Sequence, residues 1–170
     1  MCLTANYFYK LNLNSVIVNL VKDFIYNSKE SDWHIFLEQD ILLLPEDIFK
    51  SDNQIYQLIK HFGCEKRLGI YRFQPNFSYG WHTDLIRQVA VNMLIDGWNS
   101  KTYFSKASKI RLNTNLQEVP YEENKYILMN VKELHSVFNL DNLRYVLSIG
   151  IPLPATFQDV SQYVKDTLML

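Results

Sequence analysis

Glycine and proline are scarce, five of each among 170 residues, and that shortage excludes a collagen-like repeat or a long flexible linker. Cysteine is scarcer still. Cys2 and Cys64 are the only two, their spacing matches neither a disulfide framework nor a thiolate metal site, and both read as free thiols. Positive charge is not in excess either, because 17 Lys and Arg stand against 18 Asp and Glu for a net charge of −1. A general nucleic-acid binder needs a basic surplus to neutralise phosphates. No apolar run approaches the roughly 18 residues of a membrane-spanning helix, and Met1 to Lys10 lack the basic start and apolar stretch of a signal peptide. The expectation is a cytoplasmic protein with neither nucleic acid nor membrane as partner. Hydrophobic residues, by contrast, make up 48% of the chain and aromatics 14%, enough to bury one sizeable core and to exclude disorder.

The first third reads as helical and connecting structure. Asn14-Ser15 offers a cap to a helix with the stripe Ile17, Leu20, Val21, Phe24 and Ile25, and Ser51 caps a second with the stripe Ile55, Leu58, Ile59 and Phe62 and a stop at Gly63. Between them, Trp33 to Leu44 reads as a strand or short buried segment that ends at a turn on Pro45. From residue 66 the hydrophobic period falls to two. Strand candidates are Leu68–Gln74, Tyr79–Thr83, Gln88–Ile95, Thr102–Phe104, Lys109–Leu112, Lys125–Met129, His135–Leu140 and Leu143–Ile151. Eight short strands separated by turn residues point to a mainly β fold with flanking helices, and a jelly roll fits best. The segments 96–100 and 113–123 read as loops, and Ala155–Leu170 as a short helix. One domain is expected over 1–170, with a helical part over 1–65 packed on a jelly-roll core over 66–153 and a C-terminal segment over 154–170.

Of four histidines, two are placed to do chemistry. In an extended segment, residues two apart project from the same face, so His82 and Asp84 point together. His135 follows 51 residues after Asp84 at the start of a later strand. Two imidazoles and one carboxylate on one face of an octahedron leave three positions open, the arrangement of non-haem Fe(II) oxygenase sites, and these ligands suit Fe(II) better than structural zinc. Arg144 lies nine residues beyond His135 inside the apolar run Leu143–Ile151. A guanidinium there needs a partner, and its fork matches a carboxylate, such as one end of a dicarboxylate cosubstrate. His34 and His61 lack matched partners and read as structural or surface residues.

The order Ile70-Tyr71-Arg72-Phe73-Gln74-Pro75, Trp81-His82-Thr83-Asp84, Met129-Asn130, His135-Ser136-Val137-Phe138-Asn139 and Arg144 resembles the 2-oxoglutarate- and Fe(II)-dependent dioxygenases, and among them is most similar to the aspartyl/asparaginyl β-hydroxylase type. The resemblance covers about residues 66–153. It implies a double-stranded β-helix in which His82, Asp84 and His135 bind iron and Arg144 anchors the far carboxylate of 2-oxoglutarate. It further implies a hydroxylase that consumes O₂ and releases succinate and CO₂. Tyr71 and Asn92, on strands flanking the motif, are candidates for hydrogen bonds to 2-oxoglutarate, since a buried Asn needs a partner. Arg87, three residues after Asp84, either binds an acidic substrate or a cosubstrate carboxylate, or is a solvated loop residue. The substrate implied is a peptide or protein side chain, with an amino-acid-like small molecule as the alternative. Two other readings stand beside this one: a cupin-like metal protein without 2-oxoglutarate chemistry, and a non-catalytic jelly-roll binding module.

Overall fold

The strand Arg144–Pro152 alternates between two environments. Leu147, Ile149 and Ile151 enter a core under the helices, while Arg144, Val146, Ser148 and Gly150 face a cavity on the other side. That period of two, read across neighbouring strands, sets the architecture. A computed structural model describes residues 7–36, 39–105 and 116–168. In chain order its strands are β1 (Phe8–Asn14), β2 (Trp33–Phe36), β3 (Gln39–Leu43), β4 (Leu68–Phe73), β5 (Ser78–His82), β6 (Arg87–Asp96), β7 (Lys101–Phe104), β8 (Gln117–Glu118), β9 (Lys125–Asn130), β10 (His135–Phe138) and β11 (Arg144–Pro152). The helices are α1 (Val18–Asn27), α2 (Asn53–Phe62) and α3 (Phe157–Tyr163).

Two antiparallel sheets result. The larger has the order β1-β9-β6-β11-β4-β3-β2, and the smaller β5-β10-β7-β8. The outer face of the large sheet is covered by the three helices. Val18 and Val21 of α1, Ile55, Leu58 and Ile59 of α2 and Val160 of α3 pack against Leu42, Ile70, Val91, Met93, Leu128, Leu147 and Ile149. Its inner face meets the small sheet through Phe73, Leu94, Val137 and Val146 at one place and through Ala90, Phe104, Ile127 and Met129 at another. This is the jelly roll expected from the strand pattern.

The first third differs from its reading as helical and connecting structure. β1 pairs with β9 and β3 pairs with β4, so residues on both sides of α1 and α2 extend the large sheet at its two edges. In β1 the buried Leu11 and Leu13 alternate with polar residues, and Trp33–Leu44 is a hairpin of β2 and β3 rather than one segment. Helix α2 starts one residue later than expected, with the Asp52 carboxylate accepting from the Ile55 amide at 3.5 Å, and it ends at Gly63 in the left-handed conformation at φ 63°. Asp52 also accepts from the Tyr126 hydroxyl at 2.9 Å, which ties the helix start to β9. At α1 the expected Asn14-Ser15 cap is not found: the helix starts after Ile17 with no side-chain cap, and Ser15 accepts instead from the Ile17 amide at 3.3 Å. Cys64 is a free buried thiol whose pKa burial pushes up to about 12; Cys2 and the strand expected at Lys109–Leu112 lie outside the described residues. Among those residues no helix is long and apolar enough to cross a membrane.

Candidate active site

Strands β5 and β10 are neighbours, and their register sets His82 directly opposite His135. The rings lie 4.2 Å apart between centroids. Asp84 follows β5, its amide donating to the Val131 carbonyl at 2.9 Å, and its Oδ1 lies 3.6 Å from His82 Nε2 and 3.8 Å from His135 Nε2. One ligand atom from each of the three falls within 4.8 Å of the others. The second nitrogen of each ring is occupied by a backbone carbonyl two residues upstream. His82 Nδ1 lies 2.7 Å from the Gly80 oxygen and His135 Nδ1 lies 2.9 Å from the Glu133 oxygen. An Nδ1–H donating there leaves the Nε2 lone pairs aimed at the common point, the tautomer a metal requires. Burial, and then the neighbouring His82, hold His135 well below the usual imidazole range and so in the neutral, ligating form.

Arg87, at the start of β6, clamps the carboxylate. Its Nε donates to Asp84 Oδ2 at 2.5 Å and its Nη1 to the Ser148 hydroxyl at 3.1 Å, while the guanidinium lies 5.8 Å from the centre of the Tyr71 ring. Burial works against the Arg87 charge, but Tyr71 and Asp84 more than offset it, and its pKa is raised. With one oxygen held by Arg87, Asp84 presents only the other to the imidazoles. Arg87 is thus engaged within the protein, between β6 and β11, rather than free to meet an incoming anion.

Arg144 is 1% exposed. Its Nη2 donates to the Thr102 hydroxyl at 2.8 Å, whereas Nε and Nη1 are buried without a hydrogen-bond partner. The guanidinium sits between Phe73 and Tyr121, 5.4 and 5.5 Å from the ring centres, and burial lowers its pKa against the opposing effect of Tyr121. Gly97, in the turn after β6, makes room for it. The glycine has φ 91°, and a Cβ there would lie 2.7 Å from Arg144 Cα. His82, Asp84, His135, Arg87 and Arg144 line one cavity of about 620 Å³, together with Tyr71, Asn92, Thr102, Tyr121 and Met129. Asn92 donates to Met129 Sδ at 3.2 Å, and its Oδ1 is buried and unpartnered. Thr102, Tyr121 and Ser148 carried no signal in the sequence, because each matters only through the sheet-to-sheet packing that brings it to an arginine.

No protein-family model matches this sequence, and no curated protein matches it. Solved structures do. A prolyl-4-hydroxylase from Pseudomonas putida superposes with a TM-score of 0.61 at 14% identity, covering 85% of this chain and 91% of the other. A prolyl hydroxylase from Trichoplax adhaerens, in complex with a hypoxia-inducible-factor oxygen degradation domain peptide, gives 0.64 at 12% identity over 93% and 87%. A viral collagen prolyl hydroxylase from Paramecium Bursaria Chlorella virus-1, as a 2OG complex, gives 0.54 at 10% identity over 85% and 94%. The chain shares the fold of these three hydroxylases across most of its length.

Proposed function

We propose that this protein is a non-haem Fe(II)- and 2-oxoglutarate-dependent dioxygenase that hydroxylates a C–H bond of a peptide or protein side chain. The observation that carries the reading is a juxtaposition. Two buried, unpartnered guanidinium nitrogens of Arg144 open into the same cavity as the converging His82, Asp84 and His135. A buried cation costs several kcal/mol unless paired, and a carboxylate from a dicarboxylate whose other end reaches the metal would be that partner. The donor set fits Fe(II): two imidazoles and one carboxylate, one of whose oxygens is held by Arg87, with no thiolate among the three. When loaded, such a site would supply hydroxylation of a C–H bond by O₂, one oxygen atom going to the substrate and the other to the succinate formed as 2-oxoglutarate loses CO₂.

The residues of this chain would bind and orient. His82, Asp84 and His135 would hold the metal, Arg87 would keep the Asp84 carboxylate turned toward it, and Arg144 with Thr102 would fix the far end of the cosubstrate. Asn92 Oδ1 has room for a donor from a ligand or water, and Tyr71 backs the Arg87 clamp. Val131, Val137 and Val146 give the cavity apolar walls that exclude water. A volume of about 620 Å³ suits a five-carbon diacid plus one side chain of a substrate. The motif order alone favours the aspartyl/asparaginyl subtype, while the three solved structures named above are prolyl hydroxylases and one carries a peptide. A peptide substrate is common to both.

The test is the visible absorbance of anaerobic protein on adding Fe(II) and then 2-oxoglutarate, because bidentate chelation gives a metal-to-ligand charge-transfer band without any substrate. The band is expected in the wild type, absent in His135→Ala, and formed only at higher 2-oxoglutarate in Arg144→Ala. Iron binding without a band would turn the reading to a cupin-like metal protein. No iron binding would leave a jelly-roll module.

A further inference from the structure

We infer that the mouth of the cavity is a docking subsite for an acidic peptide, whose apolar side chains rest on Phe36, Leu43, Leu85 and Ile86 while its carboxylates face Lys66 and Arg67. The inference rests on the reading above and names the substrate class of that site. Ile41 lies opposite Tyr71 and Leu43 opposite Gly69, so the inner face of β3 continues the cavity wall outward beyond the metal ligands. Gly69 permits the continuation, because any Cβ there would come within 3.2 Å of the Ile41 side chain. β2 adds Phe36, paired opposite Gln39, and the segment after Asp84 contributes Leu85 and Ile86 to the same cavity lining.

These side chains are far more exposed than apolar residues of this size usually are. Leu43 is 59% exposed, Leu85 84% and Ile86 60%. Single exposed apolar residues are ordinary, but a contiguous set around the rim of a cavity marks an interaction site. β2 is also the terminal strand of the large sheet among the described residues. A strand edge beside a shelf of side chains can recognise main chain as well as side chain, which favours an extended peptide over a small metabolite.

Charge identifies the kind of peptide. The described lining holds four basic residues, Lys66, Arg67, Arg87 and Arg144, against the single carboxylate of Asp84. Arg87 is committed to Asp84, and Arg144 lies deep beside Thr102. Arg67 donates from Nη1 to the Ile86 carbonyl at 3.2 Å, a bond that fixes the guanidinium beside the apolar rim without neutralising it. Glu65, next in sequence, is paired with Lys60. Among the described residues neither Lys66 nor Arg67 has a carboxylate partner, so two positive charges remain at the outer end for an acidic group of the substrate.

The experiment is selection from a display library of random dodecapeptides on the full chain loaded with Mn(II) and 2-oxoglutarate. Enriched peptides, labelled with fluorescein, are then titrated by anisotropy. Expected are sequences with Asp or Glu beside apolar residues and binding that weakens with salt. Affinity should fall about tenfold or more in Lys66→Glu/Arg67→Glu, a change of the size two rim charges give when reversed, with selection in that variant moving toward Lys and Arg. Leu85→Ser/Ile86→Ser should also lose affinity. Enriched peptides without acidic bias, a bias that the charge reversal leaves unchanged, or no enrichment at all would overturn the inference. Both double variants leave the metal ligands and Arg144 intact and should keep the Fe(II)–2-oxoglutarate band. Failure of the peptide result with the band present therefore sinks this inference alone, whereas a missing band in the wild type sinks the underlying reading.

Discussion

Replacing Arg144 by methionine should move stability and cosubstrate affinity in opposite directions. In the ligand-free protein the guanidinium is fully buried with two of its three nitrogens unpartnered. Exchanging a buried ion pair for hydrophobes of similar volume is commonly neutral to stabilising by about 1–4 kcal/mol, and Arg144→Met leaves no carboxylate behind among the described residues. Against that gain stand the bond to Thr102, about 1 kcal/mol, and contacts with the Phe73 and Tyr121 rings, about 0.5–2 kcal/mol. The net expectation is a ligand-free variant as stable as the wild type or up to about 2 kcal/mol more stable, which for a chain of this size raises the melting temperature by several degrees. For 2-oxoglutarate the same change removes one partner of a buried charged pair, at about 3 kcal/mol or roughly 150-fold in affinity. Ligand at a hundred times the wild-type dissociation constant stabilises the wild type by about 2.7 kcal/mol and the variant by far less. Melting curves with Mn(II), recorded with and without 2-oxoglutarate, should therefore exchange order on adding the ligand. A ligand-free Arg144→Met protein that melts well below the wild type, or one that responds equally to 2-oxoglutarate, would refute the assignment of Arg144 as an unsatisfied anchor.

Three further outcomes are expected. Gly97→Ala should cost about 2–3 kcal/mol in urea unfolding, since the residue has φ 91° and its new Cβ would lie 2.7 Å from Arg144 Cα; the same variant should need more 2-oxoglutarate to form the charge-transfer band. Burial raises the pKa of Asp52, against the hydrogen bonds from Tyr126 and Ile55 that lower it. A carboxyl whose folded pKa exceeds its unfolded value stabilises most when protonated, so its contribution declines as pH rises from the unfolded value near about 4 through the folded one. Asp52→Asn keeps one oxygen for the Ile55 amide and turns its NH2 to the Tyr126 hydroxyl oxygen, whose own hydrogen can go to Ser15, and its stability relative to the wild type should rise across that interval, as read from urea midpoints at successive pH values. Cys64, buried with its thiol pKa near about 12, should react with a maleimide only at the rate of unfolding; rapid labelling of folded protein would contradict its place under the helices.

The parts of this site that were legible in the sequence are those written in local spacing. His82 and Asp84 are two apart and do meet, although Asp84 lies just past the end of β5, and Arg144 falls on a strand whose apolar partners alternate with it, so its face followed from period alone. What spacing does not carry is a partner's position in depth. Arg87 lies three residues from Asp84, a distance equally compatible with a solvated loop and with the clamp found in the structure. Thr102 and Tyr121 reach Arg144 from other strands and loops, through packing that no single segment encodes. The strand β1 was hidden for a different reason. Leu11 and Leu13 do alternate, but the helical stripe beginning at Ile17 is stronger, and the pairing with β9 spans more than a hundred residues. The β2–β3 hairpin lacks a glycine, proline or asparagine between Phe36 and Gln39 to announce it.

The position of β11 has a consequence for how the chain is made. It is the last strand in sequence among the described residues, yet it lies at the centre of the large sheet, bonded along its length to β6 on one side and β4 on the other. During synthesis β4 and β6 emerge early and wait, each with an apolar edge that has no neighbour, until residues 144–152 leave the ribosome. Only that strand joins the two halves of the sheet, and with it come the core residues Leu147 and Ile149 and the cavity residue Arg144. Substitutions in this one strand should therefore act first on the yield of folded protein in the cell, through chains held open to aggregation, and only afterwards on what the finished molecule can bind.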